Sequence, residues 1–111
     1  MFVAAYRWEV HPGKEDQFRA AWRRGTELIR EKYGSLGSRL HREAGEGGNP
    51  AFIGVAEWPD RATWQRAFDA KMVYDEPATR RAFTEAISAW AVEPLLLMEL
   101  TDDLLDRAAP G

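Results

Sequence analysis

One local pattern occurs twice in this chain: an extended apolar run, a proline, then an amphipathic helix. The first copy is Trp8-Glu9-Val10-His11-Pro12, followed by a helix opening Lys14-Glu15-Asp16-Gln17-Phe18. The second is Ala56-Glu57-Trp58-Pro59, followed by a helix opening Asp60-Arg61-Ala62-Thr63-Trp64. Proline cannot donate to a sheet ladder, and its ring disfavours helix at the residue before it, so each proline marks a strand-to-helix boundary. Two such units in 111 residues predict a split βαβ sandwich within a single domain.

Hydrophobic periodicity fills in the remaining elements. Residues 2–10 alternate as a strand, with Phe2, Ala4, Tyr6, Trp8 and Val10 on one face and Val3, Ala5, Arg7 and Glu9 on the other. Residues 14–33 carry Phe18, Ala21, Trp22, Gly25, Leu28 and Ile29 on one helical stripe, with Gly34 as the C-terminal cap. A short strand is predicted over 38–43 and another over 51–58, joined by the turn chemistry of 45–50. Asp60 caps a helix to about residue 72, with Trp64, Ala67 and Phe68 inward. A break at 73–75 leads to a third helix whose stripe is Phe83, Ala86, Ile87 and Trp90. Residues 95–101 read as the last strand. The expected fold is α+β: a ferredoxin-like βαββαβ domain over 1–105, with a four-stranded antiparallel sheet and a split second helical segment. Residues 106–111 are expected to fray.

Helices on one face leave the other face of such a sheet bare. Yet residues 51–58 are apolar on both faces, and Leu95-Leu96-Leu97-Met98-Glu99-Leu100 is almost continuously apolar. A half-solvated antiparallel strand should alternate with polar residues. The sequence therefore predicts a homodimer with sheets face to face, which hides the apolar patch from water.

Composition excludes several functions. The formal charge of −3 is mild and the charges are mixed, with no basic stripe for nucleic acid. No apolar run is long enough to span a membrane. Cysteine is absent, so there are no disulfides, which fits a cytoplasmic protein, as does a start without a signal-like leader. Two histidines and no cysteine form no metal-binding pattern. The glycines of 45–48 follow no strand-to-helix turn and lack the lysine of a phosphate loop. Thirteen aromatic side chains, five of them tryptophan, provide a heavy core or an aromatic-lined pocket.

Three segments, Pro12 to Phe18, Tyr33 to His41 and Glu57 to Trp64, together resemble the antibiotic-biosynthesis-monooxygenase family of dimeric α+β barrels. The resemblance covers nearly all of the chain to about Leu105. It implies oxygenation without metal, haem or flavin, so no cofactor is expected. The implied substrate is a small aromatic, polyketide-like phenol or anthrone, which loses a proton and reduces O₂ itself. The protein's task is then to bind the rings, exclude water and stabilise an oxyanion.

On this resemblance Trp64 and Tyr74 correspond to the family's pocket tryptophan and tyrosine. His41, on the second strand, is the candidate general base, since histidine titrates near neutrality. Tyr6, Trp8 and Phe68 are the candidate apolar walls for substrate. Arg7 is expected to pair with an acid across the dimer, Glu57 or Glu99. The family's amide donor has no counterpart near Trp64 and Tyr74, because Asn49, the sole asparagine, lies in the hairpin turn. Haem-degrading relatives need an asparagine on the first strand and a helical histidine, and neither is present. Two other readings stay open: a non-catalytic module that binds a hydrophobic metabolite or merely dimerises, and a cyclase or isomerase using the same pocket without oxygen.

Overall fold

A computed structural model describes residues 1–44 and 47–105. The chain runs β1 (Phe2–Val10), α1 (Glu15–Tyr33), β2 (Gly37–Arg42), β3 (Ala51–Trp58), α2 (Arg61–Asp69), α3 (Pro77–Ala86), β4 (Ile87–Trp90) and β5 (Leu96–Glu99). The strands form one antiparallel sheet in the order β2-β3-β1-β4, with β5 also paired to β1. This is the expected α+β, ferredoxin-like arrangement with a split second helical segment. Gly45 and Glu46 of the predicted turn, and the predicted frayed tail 106–111, lie outside the described residues.

The period-two reading of β1 holds. Phe2 faces Trp58, Ala4 faces Ala56, Tyr6 faces Gly54 and Trp8 faces Phe52, so these eight share the face that the helices cover. Two buried clusters lie between sheet and helices. One comprises Phe2, Ala4, Trp58, Trp64 and Ala67; the other comprises Val10, Phe18, Phe52 and Ala86. Trp8 lies across the β3 backbone, where a Cβ at Gly54 would come within 2.8 Å of its ring. Glycine inside a strand here marks that close approach.

Helix ends follow their local chemistry. Glu15 and Asp16 occupy the first turn of α1, Arg30 and Lys32 the last, each complementing the helix dipole. Gly34 takes a left-handed conformation, φ 82°, and its N–H returns to the Arg30 carbonyl. Asp60 caps α2 as expected, accepting from the Thr63 N–H at 2.8 Å. That helix stops at Asp69, short of residue 72, because Lys71 and Met72 adopt φ of 60° and 47°.

The third helix departs from the sequence expectation. It ends at Ala86, so Ile87 and Trp90 belong to a strand rather than to a helical stripe. Ile87 turns extended, and β4 pairs Val10 with Ile87 and Trp8 with Trp90. A short run of β-branched and aromatic residues fits either period, and the unpaired edge of β1 decides it. The sheet therefore has five strands instead of four. β4 takes one end of the β1 edge and β5 the other, where Leu95 and Leu100 extend the ladder through bonds to the Ala5 and Met1 carbonyls.

The opposite sheet face carries Val3, Ala5, Arg7 and Glu9 of β1, Ile53, Val55 and Glu57 of β3, Arg39 and His41 of β2, and Leu96 and Met98 of β5. Leu96 is 53% exposed and Met98 40%. On this face Arg7 pairs within its own chain: its Nε is 2.8 Å from Glu43 Oε2, and Glu9 is 3.8 Å away. The expected reach to Glu57 or Glu99 is not needed to neutralise it.

Candidate functional site

The sequence-predicted residues separate into three places. Tyr6, Trp8, Trp64 and Phe68 come together between sheet and helices. Tyr74 stands on the α2–α3 linker. His41 lies exposed on the far face of the sheet, opposite Ile53, and contacts none of the others.

The first group is assembled by two elements. Strand alternation points Tyr6 and Trp8 toward the helices. The Asp60 cap fixes the start of α2, which brings Trp64 inward one turn later and Phe68 one turn after that. Trp64 is 3% exposed, and its Nε1 donates to Tyr6 Oη at 3.0 Å. Its ring stacks on Phe68 at 5.1 Å and tilts against Phe2 at 5.6 Å. On the other side of Tyr6, Trp8 stacks at 6.2 Å and continues into Phe18 and the edge of Phe83. Tyr6 thus joins the two aromatic clusters.

The Tyr6 hydroxyl is held in its protonated form. Burial pushes its pKa up, donation from Trp64 opposes this, and the nearby charge of Glu93 adds to the rise. Its oxygen accepts from Trp64, while its own proton has no acceptor among the described residues. A neutral donor in an aromatic setting is what remains.

Tyr74 is placed by the break between α2 and α3. Its hydroxyl packs on α1 at Gly25, where a Cβ would sit 3.0 Å from Oη. Burial also raises its pKa; the charge of Arg80 opposes this and that of Glu76 adds to it. The linker is latched on both sides of it. Tyr33 donates to the Val73 carbonyl, and Arg24 of α1 makes a two-pronged contact with Glu76, its Nη2 at 2.9 Å. No ring contact or hydrogen bond joins Tyr74 to the Tyr6–Trp64 pair among the described residues.

Sequence reasoning did not single out Trp58, a core residue whose indole N–H has no partner, or Gly54, whose place inside a strand was the available signal. A separate groove of about 550 Å³ opens between α1 and β2, floored by Trp22, Leu40 and Phe52 and rimmed by Arg19, Arg23 and Arg42. Asn49 donates to Ser88 of β4, at 3.0 Å. Among the described residues no group of three or more His, Asp or Glu gathers to hold a metal ion, and no helix is long and apolar enough to cross a membrane.

Known proteins share this architecture. SnoaB, a cofactor-independent oxygenase from Streptomyces nogalater, superposes with a TM-score of 0.56 at 15% identity, over 93% of this chain and 95% of its own. A putative antibiotic biosynthesis monooxygenase from Bordetella bronchiseptica gives 0.53 at 19% identity, over 93% and 97%. Rv0793 from Mycobacterium tuberculosis gives 0.55 at 13% identity, over 94% and 98%. No curated protein matches the sequence. At these identities the likeness is one of fold. The model of the family described as antibiotic biosynthesis monooxygenase matches residues 1–74, from β1 through the linker that carries Tyr74. The chain belongs to the antibiotic biosynthesis monooxygenase family.

Proposed function

We propose that the protein is a cofactor-independent oxygenase of an electron-rich, polycyclic phenol or anthrone. The observation that carries this reading is the Trp64–Tyr6 hydrogen bond inside an aromatic cluster, which leaves a protonated tyrosine O–H free to donate. Flat walls from Trp8, Trp64 and Phe68 suit fused rings, and the Tyr6 O–H suits the oxygen on them. Tyr74, whose pKa burial also raises, is the second donor from the linker side.

The chemistry follows from that donor set. The bound anthrone gives up a C–H proton to solvent water and becomes an enolate, whose oxygen charge the tyrosine donors stabilise. The enolate passes one electron to O₂, the resulting radicals combine at carbon to a peroxide anion, and that anion regains a proton from water as the hydroperoxide. Loss of water leaves the quinone, so a CH₂ becomes C=O and one O₂ yields one H₂O. His41 has no part in this, since it lies across the sheet.

Two copies of the chain assemble through their uncovered sheet faces in this reading. Val3, Ile53, Val55, Leu96 and Met98 form an apolar surface there that a second copy would shield. A cytoplasmic location belongs to the same reading.

One observation favours a second reading. Among the described residues no histidine or carboxylate hydrogen-bonds to the Tyr6–Trp64 pair, so the cluster has ring-binding surface and donors without an evident base. A binding module needs no base. Incubation with dithranol in air separates the two: the oxygenase accelerates quinone formation and consumes one O₂ per quinone. Binding of the quinone product with no acceleration over buffer would leave the module.

A further inference from the structure

Trp58 ends β3 on the helix-covered face and is 1% exposed. Its Nε1 is the buried side-chain polar atom without a hydrogen-bond partner among the described residues. Buried N–H groups are nearly always paired, so an orphan of this kind needs a cause. A phenylalanine would fill most of the same space without the penalty.

Among the described residues no acceptor bonds to it. Phe2, Ala4, Trp64 and Ala67 are buried with Trp58 and are apolar or, for Trp64, a donor already used. Tyr6 and Tyr33 pack against the same cluster and carry hydroxyls, but the first bonds to Trp64 and the second to Val73, and neither bonds to Trp58. Met72 also packs on the cluster, and it sits in the left-handed pair Lys71–Met72. A non-glycine residue in that conformation carries backbone strain, so this cover is held under tension.

We propose that the Trp58 indole N–H is a ligand donor: it takes a keto or phenolate oxygen of the ring compound that the aromatic cluster binds, and so fixes which way round the rings lie. This rests on reading the cluster as a ring-binding site. An indole N–H is a neutral donor with no acceptor capacity. It selects rings bearing an acceptor oxygen over bare hydrocarbons. With the Tyr6 O–H it supplies two donors to one cluster, which suits a compound oxygenated at two positions.

The test uses the ¹⁵N-labelled full chain and 1,8-dihydroxyanthraquinone, which is already oxidised and does not turn over. The indole N–H signals come from five tryptophans, and Trp58→Phe identifies the one concerned. On titration the Trp58 signal moves downfield, and the folded Trp58→Phe variant binds about tenfold more weakly, the loss expected for one hydrogen bond. Binding with the Trp58 signal unmoved, or equal affinity in the variant, overturns this inference and leaves the ring-binding reading standing. A persistent cross-peak from the Trp58 N–H to bound water, in free and bound protein alike, overturns it too. Failure of the wild type to bind the probe removes both. If the variant does not fold, the Trp58 signal is assigned by elimination with phenylalanine variants of Trp8, Trp22, Trp64 and Trp90, and the wild-type titration decides.

Discussion

Trp64 Nε1 donates to Tyr6 Oη across 58 residues of sequence, at 3.0 Å, and ties the first helix turn after Asp60 to the middle of β1. Tyr6→Phe keeps the ring and removes the acceptor, leaving the buried indole N–H unpaired. The expected cost is about 1–3 kcal/mol. Trp64→Phe removes the donor instead, and the double variant should be less destabilised than the sum of the two. A double-mutant cycle by urea unfolding checks this; strict additivity would mean that the bond contributes nothing.

Gly54→Ala tests the packing of Trp8. The new methyl would stand 2.8 Å from the indole ring, with Trp22 Nε1 at 3.3 Å behind it. Both rings would have to shift to admit it, so a loss of about 1–3 kcal/mol is expected. Tryptophan emission should shift as Trp8 is displaced. An unchanged spectrum and midpoint would show that the ring does not lie over β3.

Alkaline pH should destabilise the fold through Tyr6 and Tyr74. Burial raises both pKa values above the ordinary 10.0. Their contribution is present in full below that value, where both states are protonated. It is lost as pH rises through the folded-state pKa, because the unfolded chain ionises first. Thermal unfolding between pH 9 and 12, compared with Tyr6→Phe and Tyr74→Phe, should give a shallower alkaline fall in each variant.

The left-handed backbone at Lys71 predicts that Lys71→Gly is stabilising, by about 1 kcal/mol. The side chain is exposed, so little contact is lost. A lower unfolding temperature in the variant would remove the strain attributed to this linker.

The face-to-face dimer predicts sedimentation at twice 12.6 kDa. Val55→Glu places a charge on the uncovered sheet face and should give the single chain, still folded by circular dichroism. A wild-type protein that sediments as one chain at micromolar concentration would dismiss the dimer.

Much of this fold is legible residue by residue. The faces of β1 follow from strict alternation, and the inward set Trp64, Ala67 and Phe68 follows from helical spacing after the Asp60 cap. What escapes are the choices made by distant partners. Ile87 and Trp90 fit a helical stripe as well as a strand until the free edge of β1 claims them. Arg7 finds Glu43, which only the β2–β3 hairpin brings near. His41 is the residue type suited to a general base, but register puts it opposite Ile53 and away from Tyr6. No local signal announces that Trp64 bonds to Tyr6 or that Trp58 lacks a partner.

The edge of β1 away from β3 has two tenants. β5 lies along Phe2 to Ala5, β4 along Trp8 to Val10, and between them Tyr6 and Arg7 pair with β3 alone. The zipper on that side is therefore cut in half, so β5 can peel off without unfastening β4. The interruption falls at the tyrosine that bridges the aromatic clusters, so its backbone is gripped by a neighbouring strand on one side while its side chain is held by Trp64.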